Sequence, residues 1–247
     1  MIRRTFSGIY LGYFSSNRNL FKSIRHITGF NPVNINCYIQ ALRHHSASTT
    51  IHHNGSKDSN ERLEYLGDSV LNTVVAELLF KRYPYKGEGF LTEMRSKIVS
   101  RESLNELAMK IGINHMVIYD RKAINPNNKL SIFGNALEAF IGAVFLDGGF
   151  GVAQKFIRGR LLPHIDIDKL QHTETNFKGR LIEWSQRNSK NVEFENAEIL
   201  DHKQKIYKVR VLINRVLMGE AENLSKKKAE QLASQKAWNG LTSEITE

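Results

Sequence analysis

A change of hydrophobic period near residue 163 divides this sequence into two folding problems. From residue 19 to 162 apolar residues recur three and four apart, the repeat of amphipathic or buried helices, and no strand alternation interrupts them. Helices are expected at 19–28, ended by Gly29, at 34–46, at 60–82, ended by Pro84, and at 90–99. Three more are expected at 102–111, ended by Gly112, at 130–147, ended by Gly148-Gly149, and at 151–162, ended by Pro163. Residues 163–174 are polar, lack a sustained period and follow that proline, so they read as a linker. The pattern then changes. Residues 176–188 form one amphipathic helix, 192–200, 206–213 and 216–222 alternate as strands, and Ser225 caps a last helix reaching Leu241. In the middle strand Tyr207, Val209, Val211 and Ile213 share one face, leaving Lys208 and Arg210 on the other. The expected architecture is a basic extension over 1–18, an all-α domain over 19–162, and a small α+β domain of order α-β-β-β-α over 175–243.

Composition removes several function classes. No run of eighteen or more apolar residues occurs, which argues against an integral membrane protein, and the single cysteine, Cys37, excludes a disulfide framework or a Cys-based zinc site. Lone-cysteine usage fits a reducing compartment, with the cytoplasm as the expected location. The net charge of +10 suggests a polyanionic partner. That excess is uneven: residues 1–57 hold seven Lys/Arg and no acid, 58–172 hold fifteen against fourteen, and 173–247 thirteen against eleven. The acid-free start, with Arg3, Arg4 and Ser7, also permits an organellar transit peptide and a matrix location. No Gly-rich phosphate loop with a lysine is present, so no nucleotide cofactor is expected.

The chemistry concentrates in two helices. Glu61, Glu64 and Asp68 fall at i, i+3 and i+7 and project from one face at the start of the 60–82 helix. Like charges so placed repel, on the order of a few tenths of a kcal/mol per exposed pair and more when partly buried, and a bound cation relieves them. In the 130–147 helix Asn135 and Glu138 are the only strongly polar side chains of an otherwise apolar stretch from 134 to 146, and a carboxylate in such a helix needs a partner. Gly67 and Gly142 lie inside these helices, where each costs roughly 0.5–1 kcal/mol unless a close backbone approach compensates. Close packing of the two would let Glu64, Asp68, Asn135 and Glu138 form an all-oxygen site suited to Mg²⁺ or Mn²⁺. Spacing alone leaves the alternative that Glu61, Glu64 and Asp68 only solvate an exposed face.

Three lysines, Lys226, Lys227 and Lys228, occupy the first turn of the last helix, where the helix end carries partial positive charge. A facing anion such as a backbone phosphate resolves that conflict, although a solvated lysine face is the plainer alternative. The pairs His44-His45 and His52-His53 carry no expected role, because neighbours on a helix point apart and the second pair sits in a polar loop.

The stretch Asn60-Glu61-Arg62-Leu63-Glu64-Tyr65-Leu66-Gly67-Asp68-Ser69-Val70-Leu71 closely resembles the signature of the ribonuclease III family, and Ala41-Leu42-Arg43-His44-His45-Ser46-Ala47 resembles the motif preceding it. The resemblance continues through Glu88-Gly89, 91–100 and 134–147, and covers roughly residues 20–241. It implies a magnesium-dependent endonuclease for double-stranded RNA that acts as a homodimer, leaves short 3′ overhangs and processes ribosomal RNA precursors and other structured transcripts. Glu64, Asp68 and Glu138 match metal-binding catalytic positions, and Glu61 an accessory acid of the catalytic valley. Asn135 departs from the pattern, since most relatives carry Asp there. An amide still offers an oxygen but one less charge, which implies activity at higher Mg²⁺. Tyr65 resembles an aromatic that plugs the partner subunit; packing in the core of a monomer is the alternative.

The α-β-β-β-α order with Ser225-Lys226-Lys227-Lys228-Ala229-Glu230 resembles a double-stranded-RNA-binding domain. By that resemblance Lys226 and Lys227 meet phosphates and Glu183 meets ribose hydroxyls. His202 matches a groove contact, although Leu200-Asp201 stands where the family has Gly-Pro. A competing function of another class is a non-catalytic RNA-binding protein that has lost hydrolysis at Asn135.

Overall fold

The computed structural model describes residues 17–48, 58–122, 131–172, 176–201 and 204–245. The chain separates into two compact units, Met1–Gln171 and His172–Glu247, each with its own core.

In the first unit, α1 (Arg18–Thr28) buries Phe21, Ile24 and Thr28 and stops at Gly29, whose φ of 79° returns its N–H to the Arg25 carbonyl. The helix expected at 34–46 is shorter. α2 spans Ile35–Ala41, after which the chain extends and Arg43 bridges Ile118. The His44 N–H reaches the Ile118 carbonyl at 3.0 Å, and the Ile118 N–H reaches the Leu42 carbonyl at 2.8 Å. Backbone groups satisfied across the fold in this way have no need of a helix. A single 3₁₀ turn, His45–Ala47, follows.

The centre of the unit is α3 (Glu61–Arg82) packed on α6 (Ser131–Gly148). Around them lie α4 (Glu88–Ile98), α5 (Arg101–Lys110, capped by the Ser100 hydroxyl) and α7 (Phe150–Phe156), which runs on into a wider helical turn over Ile157–Leu161. By length and composition α6 could cross a bilayer, but 61% of that span is buried inside the unit. It is a core helix. The glycines explain how two helices come so close. A Cβ placed on Gly67 would run into the Glu138 carbonyl oxygen, and one placed on Gly142 into the Leu63 carbonyl oxygen.

Residues 163–172, expected as a linker, are largely helical. A 3₁₀ turn (Leu162–His164) leads into α8 (Ile167–His172). Ile165, Ile167 and Leu170 pack on the core, and Arg82 pairs with Asp168 at 2.7 Å. Three apolar residues among polar ones suffice to dock so short a segment, yet they are too few to print a period.

Asp147, at the end of α6, ties down the entry to α2. Its carboxylate accepts from Asn34 N at 2.7 Å, Val33 N at 3.0 Å and the hydroxyl of the buried Tyr38 at 3.0 Å. Asp147→Ala leaves that hydroxyl unpaired and is expected to destabilise the helical unit by about 3 kcal/mol. Thermal melting should show this as a fall of roughly 6–12 °C.

The second unit contains α9 (Phe177–Arg187), then β1 (Val192–Asp201), β2 (Gln204–Ile213) and β3 (Val216–Asn223) in the order β1-β2-β3, all antiparallel. Asn214 and Arg215, both at positive φ, make the tight β2–β3 turn. The chain ends in α10 (Lys226–Ile245), which extends past Leu241, and the Ser225 carbonyl accepts its first helical bond from the Ala229 N–H. Val209, Val211 and Ile213 are buried against Leu181 and the small residues Ala229, Ala233 and Ala237 of α10. On the other sheet face Lys208 and Arg210 pair with Glu220 and Glu222. The α-β-β-β-α order and the face assignment agree with the sequence pattern.

Candidate active site

The close approach of α3 and α6 gathers the expected acids. Asn60 fixes the start of α3: its N–H reaches the Arg43 carbonyl at 2.9 Å and its carbonyl accepts from Glu64 N at 2.8 Å. From there Glu61, Glu64, Tyr65 and Asp68 share a face, and α6 supplies Asn135 and Glu138 opposite. Together with His44, His45 and Asn60 these side chains line one cavity of about 410 Å³. Of the three acids for which a solvated helix face was the alternative, Glu64 is partly buried while Glu61 and Asp68 are exposed; Glu138, on α6, is partly buried as well.

The electrostatics follow from that crowding. Burial pushes the Glu138 carboxyl up to about 8, helped by the negative charges of Asp68 and Glu64 and opposed by Arg101. Glu64 is also raised, chiefly by burial, although a hydrogen bond from the Asn135 amide works against the rise. Asp68 accepts from Asn72 Nδ2 at 2.6 Å. Among the described residues no three His, Cys, Asp or Glu side chains are drawn in tightly enough to hold an ion by themselves. Three carboxylates and one amide nonetheless form the hard, all-oxygen donor set that fits Mg²⁺ or Mn²⁺.

The raised Glu138 fixes a pH dependence. Below its ordinary value of 4.5 the carboxyl is protonated in folded and unfolded chains alike; between there and about 8 only the folded chain keeps the proton. Its contribution is therefore fully present at low pH and is lost as pH rises through about 8. In EDTA, moving from pH 5 to 8 is expected to cost the parent on the order of 2 kcal/mol more than Glu138→Gln, a figure discounted for water entering the cavity. Equal pH dependence of the two melting temperatures would contradict this assignment.

Two contributors escaped the sequence reading. His44 and His45 do not point apart on a helix: their rings lie against each other, tilted by 40° with centroids 3.9 Å apart, beside the acids. His45 Nδ1 lies 3.7 Å from Glu61 Oε1, and the Ser46 N–H donates to His44 Nδ1. Burial, with His45 adjacent, holds His44 below the usual imidazole range. Arg101, at the start of α5, is the cation that moderates both raised carboxyls. A turn capped by a histidine two residues before a serine was the available signal for the first; nothing local marked the second.

Tyr65 is 79% exposed at the cavity, so it is not core in the single chain. In the second unit Lys226, Lys227 and Glu183 are exposed, and His202 lies outside the described residues.

A helical unit whose acids converge on one cavity, followed by an α-β-β-β-α unit that exposes lysines at a helix start, defines an endonuclease of double-stranded RNA. Residues 34–165 match the Ribonuclease-III-like family and 177–241 the Double-stranded RNA binding motif. The chain belongs to the ribonuclease III family. It is 38% identical over 232 residues to Ribonuclease 3 of Azobacteroides pseudotrichonymphae, covering 93% of this chain and 87% of that protein. It is 41% identical over 238 residues to Ribonuclease 3 of Bacteroides fragilis, covering 95% and 81%. The solved nuclease domain of ribonuclease III from Campylobacter jejuni, described by structural flexibility in a region involved in dimer formation, superposes with a TM-score of 0.51 at 29% identity, covering 59% of this chain and 98% of that one.

Proposed function

We propose that this endonuclease hydrolyses phosphodiesters of double-stranded RNA with Mg²⁺, or Mn²⁺ as a substitute, works as a cytoplasmic homodimer, leaves short 3′ overhangs, and processes ribosomal RNA precursors and other structured transcripts. The observation that carries the metal reading is the convergence of Glu64, Asp68, Glu138 and Asn135 on one cavity with Glu138 pushed up to about 8. These four residues would hold the cation, which when bound supplies charge neutralisation at the scissile phosphate and a more acidic water. Glu61 borders the same cavity beside His45 and accepts from the Ser59 hydroxyl at 3.1 Å, which suits an accessory acid at the mouth. Lys226 and Lys227 would take backbone phosphates, and Glu183 ribose hydroxyls. His202 remains a groove contact by sequence position. Two features support the dimer: an exposed aromatic, Tyr65, beside the acids, and the dimer-forming region described for the Campylobacter domain.

A long duplex incubated with the chain in Mg²⁺ and in EDTA tests this, with the ends mapped. Mg²⁺-dependent cutting with recessed 5′ ends is expected, together with a retained gel shift in EDTA. Cutting that persists in EDTA would refute the metal reading, and blunt products the overhang.

Asn135 gives the proposal a quantitative edge. Asn135→Asp removes the amide donor to Glu64 and adds a charge where the cation would sit. A unit charge at about 4 Å and effective dielectric near 20 is worth on the order of 4 kcal/mol, much of it offset by added carboxylate repulsion. Half-saturating Mg²⁺ for cleavage is expected to fall about tenfold, the equivalent of 1.4 kcal/mol. An unchanged Mg²⁺ dependence would show that position 135 does not face the cation.

A further inference from the structure

The basic excess ahead of Asp58 has no part in the site above. In α1 its structural share is Arg18, Lys22 and Arg25, with His26 beside them, all exposed and with no acid anywhere in the helix. Among the described residues neither Arg18 nor Lys22 has an acidic partner. Lys22 and His26 also line a cleft of about 400 Å³ whose far wall is Ile111, Gly112, His115 and Met116; no carboxylate lines it. The helix is amphipathic in one sense only, because Phe21 and Ile24 on its apolar face are sealed in the core. It therefore has no free apolar face to lay into a lipid surface, which basic amphipathic helices at membranes require. What it offers a partner is positive charge and N–H donors, the complement of a phosphate backbone.

We infer that the exposed face of α1, with the His26–His115 cleft, is a third contact for the backbone of the RNA substrate, separate from the carboxylate cavity and from the lysines of α10. The inference rests on duplex RNA being the substrate. Its position suits the role. His115 precedes Ile118 by three residues, at most about 11 Å of chain. Ile118 bridges Arg43, whose neighbour His44 lines the catalytic cavity. A duplex lying over the acids can thus rest its backbone on this face as well.

The test compares the full chain with Arg18→Ala/Lys22→Ala, with Lys22→Arg, and with Lys86→Ala, an exposed base on the turn before α4. Affinity for a duplex is measured in EDTA across a salt series, and KM and kcat in Mg²⁺. The double variant is expected to lower the slope of log affinity against log salt by roughly 0.9 per lost phosphate contact, between one and two units in all. Its affinity near 0.1 M salt should weaken about tenfold, with the loss appearing in KM, whereas Lys22→Arg and Lys86→Ala should behave like the parent. An unchanged slope, an equal loss in Lys86→Ala, or a loss confined to kcat overturns the inference while leaving the endonuclease reading intact. A parent that neither binds nor cuts duplex overturns both. Binding to phosphatidylserine vesicles that vanishes in the double variant, with RNA affinity unchanged, assigns the face to a membrane instead.

Discussion

Glu138→Ala is expected to lower kcat for duplex cleavage by on the order of 10³-fold while leaving RNA affinity in EDTA within about twofold of the parent. The size follows from position. Within α6 Glu138 is the carboxylate set in the apolar stretch, the other, Asp147, lying at the helix end; Glu138 is partly buried and opposed across the cavity by Glu64 and Asp68. It is kept at a cost: its proton is retained to about pH 8 because its charged form is disfavoured there. Removing it should therefore stabilise the metal-free helical unit while removing activity, a combination that marks a residue retained for chemistry. The lysines proposed to take backbone phosphates belong to a separate unit with its own core, so their part in binding should survive the change at Glu138. Loss of binding together with cleavage would instead make Glu138 a structural residue.

The second large effect is expected from the smallest substitution. Gly67→Ala adds one carbon where the Glu138 carbonyl and the Gly142 amide already fill the space. Overpacking in cores typically costs 1–3 kcal/mol, and more where the obstacle is backbone that cannot rotate away; about 4 kcal/mol is expected here. For a unit of this size that is a fall of roughly 8–16 °C in melting temperature. Moving α3 off α6 also separates Glu64 and Asp68 from Glu138, so activity should collapse well below the new melting point. Melting followed by circular dichroism should show the small unit's transition unmoved. A variant as stable and active as the parent would mean that the two helices do not meet as described.

How much of this was legible beforehand depended on whether the determining contacts were local. The helices flanking the site declared themselves by period, and the acids by their spacing, because both are properties of one helix. Even the α3–α6 contact could be inferred, since a glycine in a helix interior needs a reason. The end of α2 could not: Leu42 to His44 leave the helix because Ile118, far along the chain, takes their hydrogen bonds. Missing that turn also hid the histidine pair, which on a continuous helix has no common target. Arg101 stayed hidden for the same cause, as its influence on Glu64 and Glu138 passes through space between helices that the sequence keeps apart. The docked segment Ile167–His172 read as linker because so short a helix leaves too little pattern.

The burial of α6 bears on how the chain is made. The helix best able to shield the apolar stripe of α3 begins at Ser131, whereas α3 ends at Arg82. At a synthesis rate of 5–20 residues per second, the ribosome takes roughly 3–10 s to supply it. Through that interval α3 waits with the face that packs on α6 uncovered, and α6 then emerges as the most apolar segment of the chain. The helical unit should thus be most prone to aggregation, and most dependent on holding chaperones, in nascent chains cut off between Arg82 and Ser131. Chains cut after Leu170, with the core's last apolar residue in place, should escape that dependence.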